Sequence, residues 1–186
     1  LVHALTRAIM GPAPEPALWE VDANLRPEGK DGPLVRTVES YVQYYKRWAE
    51  NWEFQALLKA RPIAGSAQLG ARYARAIDPF VWESAARESF VESVQAMRAR
   101  VTDNIPSHQV DRQIKLGPGG LRDIEFTVQL LQLVHGRTDP AVRTKSTVDS
   151  LAALTAVSYI SRTDAEAFSR DYKKLRVLEH RIQLQQ

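Results

Sequence analysis

Three stretches of the chain carry the residue types that phosphate and metal chemistry uses. The first is Asp22, with Arg26 four residues later. A carboxylate there can ligate Mg²⁺, a hard cation that takes oxygen donors and often shares them with a substrate phosphate. An arginine can grip a phosphate through two parallel hydrogen bonds. The other reading of Asp22 is the solvated face of an edge strand, and one carboxylate does not make a two-metal site. The second stretch ends in Lys59 and Arg61. These are either cations aimed at a ligand phosphate or the basic end of an amphipathic helix, complementing its dipole. The third is the turn Gly117, Pro118, Gly119, Gly120, with Lys115 and Arg122 flanking it and Asp123 and Glu125 following. Glycines permit positive φ or a close backbone approach, and amides at a helix start favour anions. This suits a phosphate, a metal-nucleotide or a tight joint between domains, and the residues do not choose among them. The Gly-Lys-Ser/Thr ending of a P-loop and the Rossmann glycine spacing are both absent.

Competing chemistries have little material. The chain has no cysteine, which excludes a disulfide framework and a thiolate metal site. His3, His108, His135 and His180 are scattered and form no helical ligand pair.

The elements that must position these groups are mostly helical. Residues 2–10 read as a short helix, halted by the proline-rich 11–16. Residues 18–25 alternate apolar and polar, the period of a half-buried strand. A turn follows at 26–33, and 34–36 could be a short return strand. From Thr37 the period becomes helical, with Val38, Tyr41, Val42, Tyr45, Trp48 and Trp52 on one face. The aromatic residues among them read as core. Helix continues over 54–60 to the break before Pro62, and 66–78 is another candidate, broken by Asp78 and Pro79. Further helices are predicted over 86–101, over 121–135 with Gly136 as a C-cap stop, and over 146–159. The last opens on a capping box at 163–166, with Phe168, Tyr172, Leu175, Leu178 and Ile182 inward. The expected architecture is a small strand-containing part, 1–78, followed by a helical bundle, 79–186.

At 186 residues, 44% hydrophobic and 25% charged, the composition is that of an ordinary globular protein. A net charge of +3 is too small to argue for nucleic acid. No apolar run is long enough to span a bilayer, and the N-terminus is no signal peptide, so a cytoplasmic protein is expected. The start at Leu1 and an end inside a helical pattern lead us to expect a piece of a longer protein.

VDANLRPEG at 21–29, WEFQALLKAR at 52–61 and IKLGPGGLRDIEF at 114–126 occur in this order and at similar spacing in one family. Together they resemble glutamine synthetase adenylyltransferase, also called glutamate–ammonia-ligase adenylyltransferase. Each motif alone is modest; the ordered set is specific and covers nearly the whole chain. The resemblance implies a fold: the truncated end of a polymerase-beta-like nucleotidyltransferase domain, then a helical bundle. It also implies an activity. One half of such an enzyme transfers AMP from ATP to a tyrosine of glutamine synthetase, and the other removes it by phosphorolysis, releasing ADP. The PII signalling protein and glutamine regulate the balance.

Carried over residue by residue, the resemblance makes Asp22 the third metal-binding carboxylate. The other two would lie in a Gly-Ser…Asp-x-Asp segment upstream of Leu1. Mg²⁺ is the implied cofactor, in in-line phosphoryl chemistry driven by positioning and charge neutralisation. Arg26 would steady the nucleotide or phosphate, and Lys59, Arg61, Lys115 and Arg122 would add phosphate-binding charge. Asp123 and Glu125 would face the cleft. The turn sequence and Leu178-Glu179-His180-Arg181 look like the first, AMP-removing half, and this piece alone is expected to be inactive. The alternatives are the AMP-transferring half, a regulator-binding helical module without chemistry, and a relative of PII uridylyltransferase, from which 52–61 separates it. No nucleic-acid or membrane partner is expected.

Overall fold

The computed structural model describes residues 2–11 and 21–185. Among these it contains eight α-helices, linked by turns and short 3-10 segments, and no strand. The chain divides into two compact units. One is Leu1–Ala49 with Pro62–Ile77, and the other is Glu50–Arg61 with Asp78–Gln186.

The first unit holds α1 (Val2–Met10), α2 (Val38–Arg47) and the start of α4 (Ala67–Glu83). Thr37 caps α2, its side chain accepting from the Ser40 amide, and Lys46 and Arg47 sit at the negative end of the dipole. Tyr45 is buried. Tyr41 stacks on Tyr45 with ring centroids 6.1 Å apart and meets Tyr73 of α4 edge-on at 5.1 Å. These offset and edge-on geometries are the ones that ring quadrupoles favour. α1 has no buried residue.

The second unit is a bundle around α6 (Leu121–His135), which packs against α3 (Asn51–Leu57), α5 (Phe90–Asp103), α7 (Thr147–Ala156) and α8 (Arg162–Gln183). Ile124, Val128, Val142, Leu151, Leu154 and Ala165 form the core, with Phe168, Tyr172 and Leu175 packed against it. Ile124, Val128 and Leu131 recur every third or fourth residue of α6, the helical spacing that gathers apolar side chains on one face. α3 joins this unit because Phe54 and Leu58 are buried, and its N-terminus is held by a reciprocal Glu50–Glu53 capping box.

Several expectations are corrected. The strand read at 18–25 does not form over its described part, 21–25, nor does the return strand at 34–36; residues 18–20 lie outside the described residues. Alternation makes a strand only when one face can be buried against a partner. Here Val21 to Leu25 are exposed, and the Asn24 amide bonds instead to the Asp22 carboxylate. α4 does not break at Pro79 but runs to Glu83. A proline removes one ladder bond, and the buried Ile77, Val81 and Trp82 on either side of it keep the helix intact. α2 ends at Arg47, so the expected aromatic core face stops there and Trp48 is 66% exposed. α8 is capped by Ser161, whose hydroxyl accepts from the Asp164 amide, two residues before the predicted box. Gly136 is no left-handed stop, since its φ is −65°. It must be small because a Cβ would lie 2.6 Å from the Trp82 ring.

Candidate functional site

In the first unit, Asp22 stands in an irregular loop at 21–36. Its Oδ1 accepts from the Asn24 amide at 2.8 Å, an Asx turn, and the residue is exposed. Arg26 holds the loop together. Its Nε donates to the Gly32 carbonyl at 3.0 Å, Nη1 to Ala23 at 2.5 Å and Nη2 to Lys30 at 2.9 Å. A segment without ladder partners must satisfy its carbonyls elsewhere, and one guanidinium does so for three. Two of its five N–H donors remain. Arg36 pairs with Glu28 beside it. Among the described residues no three His, Cys, Asp or Glu side chains come together to hold a metal. Asp22 offers a single exposed carboxylate with one oxygen engaged, so these residues do not by themselves make a Mg²⁺ site.

In the second unit, the glycine turn is closed by its own chain. The Gly117 amide donates to Gln113 O at 2.8 Å, Gly120 to Gly117 O at 3.0 Å, Leu121 to Ile114 O and Arg122 to Lys115 O, both at 2.9 Å. The Gly119 amide, at φ +71°, donates to Asp123 Oδ2 at 2.6 Å. A Cβ on Gly120 would sit 2.7 Å from Ile114 O. The close approach the glycines permit is therefore to their own backbone, and the amides that open α6 already have acceptors. Arg98 completes the joint. It pairs with Asp123, bonds Thr102 and donates to the Gly117 carbonyl at 3.2 Å.

From this joint a polar network runs along α6 and α8. Lys115 Nζ lies 3.2 Å from Glu179 Oε1, and Arg176 Nη1 lies 2.5 Å from Glu179 Oε2. The Tyr172 hydroxyl donates to Glu125 Oε1 at 3.1 Å. Lys59 Nζ donates to the Lys145 carbonyl at 2.6 Å and to Thr147 Oγ1 at 3.2 Å. Burial pushes the Lys59 ammonium below its ordinary value; the Glu125 carboxylate opposes this and Lys145 adds to it. Burial raises the Tyr172 phenol, which a hydrogen bond with Thr147 offsets and Glu125 reinforces. One turn further along α6, the buried Gln129 accepts from Gln55 Nε2 at 2.9 Å. Arg122 lies over the Phe126 ring, 5.3 Å from its centroid. Arg61 is exposed.

The second unit thus brings Lys59 and Glu125 together, and holds Lys115, Arg122 and Asp123 at or beside the joint. Asp22 and Arg26 share the loop of the first unit. Sequence reasoning missed Arg98, Thr147, Tyr172's polar role, Arg176 and Glu179. A signal for Glu179 existed. Ala165, Phe168, Tyr172 and Leu175 step by three and four, and the next position on that stripe is 179. A glutamate on an apolar stripe must find cations. Glu179 is 6% exposed, whereas Leu178 and Ile182, read as inward, are 46% and 48% exposed.

Residues 1–76 match the family model for glutamate-ammonia ligase adenylyltransferase, and residues 95–186 match that for GlnD PII-uridylyltransferase. A protein of Leifsonia xyli subsp. xyli named bifunctional glutamine synthetase adenylyltransferase/adenylyl-removing enzyme is 66% identical over 178 residues, 96% of this chain and 18% of that protein. Proteins of the same name from Streptomyces coelicolor and Mycobacterium tuberculosis are 62% and 59% identical, each over 91% of this chain and 17% of their own length. The chain spans less than a fifth of the length of these curated relatives. With identity this high along nearly all of its residues, and with the matching model at its N-terminal end, the chain is a homologue of part of the proteins named bifunctional glutamine synthetase adenylyltransferase/adenylyl-removing enzyme.

Proposed function

We propose that this chain is part of a bifunctional enzyme that adenylylates and deadenylylates glutamine synthetase, and that it lies in the AMP-removing half. The observation that carries the reading is the 66% identity to a relative of that name, running through all three motifs. The half is argued from Arg122 before Asp123 in the glycine turn and from Leu178-Glu179-His180-Arg181.

In this reading 1–78 is the end of a nucleotidyltransferase domain and 79–186 its helical companion. Asp22 contributes one carboxylate to the Mg²⁺ and nucleotide site, and Arg26 holds Asp22's loop in shape while keeping two donors for phosphate. Lys59, Arg61, Lys115 and Arg122 are the proposed phosphate-facing cations, with Asp123 and Glu125 fixing the bundle behind them. The substrates are adenylylated glutamine synthetase and phosphate, the product is ADP, and the proposed setting is the cytoplasm. PII is the proposed regulator, a reading supported by the likeness of 95–186 to a PII-uridylyltransferase.

The test is a pair of assays on the full-length enzyme that carries this chain, with and without Asp22→Ala. ADP release from adenylylated glutamine synthetase is expected to vanish while AMP transfer from ATP persists. Loss of transfer with phosphorolysis intact would move the chain to the other half. Both activities unchanged would remove Asp22 from the chemistry.

A further inference from the structure

Arg122 stands apart from every other charged group in its network. Asp123 is taken by Arg98 and the Gly119 amide, Glu125 by Tyr172, and Glu179 by Lys115 and Arg176. The Arg122 side chain has no hydrogen bond or ion pair among the described residues, and its Nε is enclosed without an acceptor. It also sits in the first turn of α6, where the helix dipole disfavours a cation. Its guanidinium nevertheless has a defined place, over the Phe126 ring one turn on, 5.3 Å from its centroid. A planar cation held by an aromatic plate, with no counter-ion, is half of a bidentate anion contact.

We propose that Arg122 is the anchor of a phosphoryl-binding site on the second unit, taking a terminal phosphate group through its two Nη nitrogens. The turn amides contribute nothing, since each has an acceptor. The site is a side-chain site on a rigid joint: Arg98, Asp123 and the closed turn fix the start of α6, and Phe126 fixes the guanidinium. An arriving oxyanion supplies the missing counter-charge and reverses the adverse dipole term. The choice of a phosphoryl group over a carboxylate rests on the function proposed above. The phosphate arrives either as free orthophosphate or as the end of a nucleotide.

Thermal unfolding of this chain in chloride, in orthophosphate and in ADP at matched ionic strength tests the site. A ligand that binds only the folded state raises Tm with concentration. The wild-type chain is expected to respond to orthophosphate or ADP beyond the chloride control, and the responding arm identifies the source. In Arg122→Gln the half-maximal concentration should rise roughly tenfold or more, the scale of a lost charge-assisted contact. The ligand-free Tm should stay equal or rise, because an unsatisfied donor and an adverse charge are gone. Arg122→Lys, which keeps the charge and loses the fork, should fall between the two, and it carries the test if the glutamine variant does not fold. No wild-type response beyond chloride would overturn the proposal. So would a Gln variant with an unchanged anion response and a lower ligand-free Tm, which would make Arg122 a structural cation. Either failure leaves the Asp22 assays standing, so the two readings fall separately.

Discussion

The loop at 21–36 and the polar face of α6 both concentrate charge, and they use it in opposite directions. In the loop, Arg26 turns inward on its own backbone, bonding the carbonyls of Ala23, Lys30 and Gly32, and Asp22 is left exposed. Along α6 the backbone is satisfied by the helix, so the side chains are free to reach other elements. Glu125 meets Tyr172 of α8, Gln129 meets Gln55 of α3, and Asp123 meets Arg98 of α5. An irregular segment uses its charges to exist; a regular one uses them to fix its neighbours. A reactive group is more readily offered by the first kind, and a preorganised frame by the second.

The largest effect that would sharpen this contrast is on Asp22→Ala. We expect adenylyl removal by the full-length enzyme to fall roughly a hundredfold or more, the scale of losing a metal-site carboxylate. Urea unfolding of the chain should be unchanged, because the side chain is exposed. A loss of stability equal to that of a core variant would show that the loop is a structural element after all.

Glu179→Ala should act the other way, on stability first. It leaves the Lys115 and Arg176 cations without the buried carboxylate between them. Removing one member of a buried pair costs 3–5 kcal/mol, and the half-exposed cations reduce this to about 2 kcal/mol. The midpoint of urea unfolding measures it; a shift under about 0.5 kcal/mol would mean the network is ornamental.

Arg26→Lys tests the loop itself. A single ammonium cannot reach three carbonyls in the geometry of the fork. We expect a loss of about 1 kcal/mol, with faster amide exchange confined to 23–32. Exchange spreading into the second unit would contradict a local clamp.

The smallest effect is the pH response of Lys59. Its folded value is depressed below 10.5, so between the folded value and 10.5 the unfolded chain binds more protons and stability rises with pH. Tyr172, raised above 10.0, contributes the opposite slope above that value. In Lys59→Met the rising component should vanish while the Tyr172 component remains. An unchanged slope difference would show that Lys59 is not desolvated.

Much of the second unit was legible because helical periodicity and capping are local. The stripe Ile124, Val128 and Leu131 and the helix beginning at Ser146 follow from neighbours three or four residues apart. The strand expected at 21–25 was not legible, because a strand's stability lies in a partner that local alternation does not specify. The candidate site was legible as residue types: Asp22, Lys59, Lys115, Arg122 and Glu125 all stood out. Their partners did not. Glu179 lies 64 positions from Lys115, and Gln55 lies 74 from Gln129 (179 − 115 and 129 − 55).

The sequence by itself determined that the chain is mostly helical, that three motifs stand in a family's order, and that the glycine turn opens a helix. These depend on spacing along one segment. Only the tertiary structure decided what the turn is for. Its amides are used by carbonyls three, four and seven residues away or by Asp123, so the turn is a closed joint, and among the described residues the Arg122 side chain alone of its charges is left unpaired. Whether a donor or a cation is free depends on every group that folding brings within about 3–4 Å of it, and no reading of spacing contains that list.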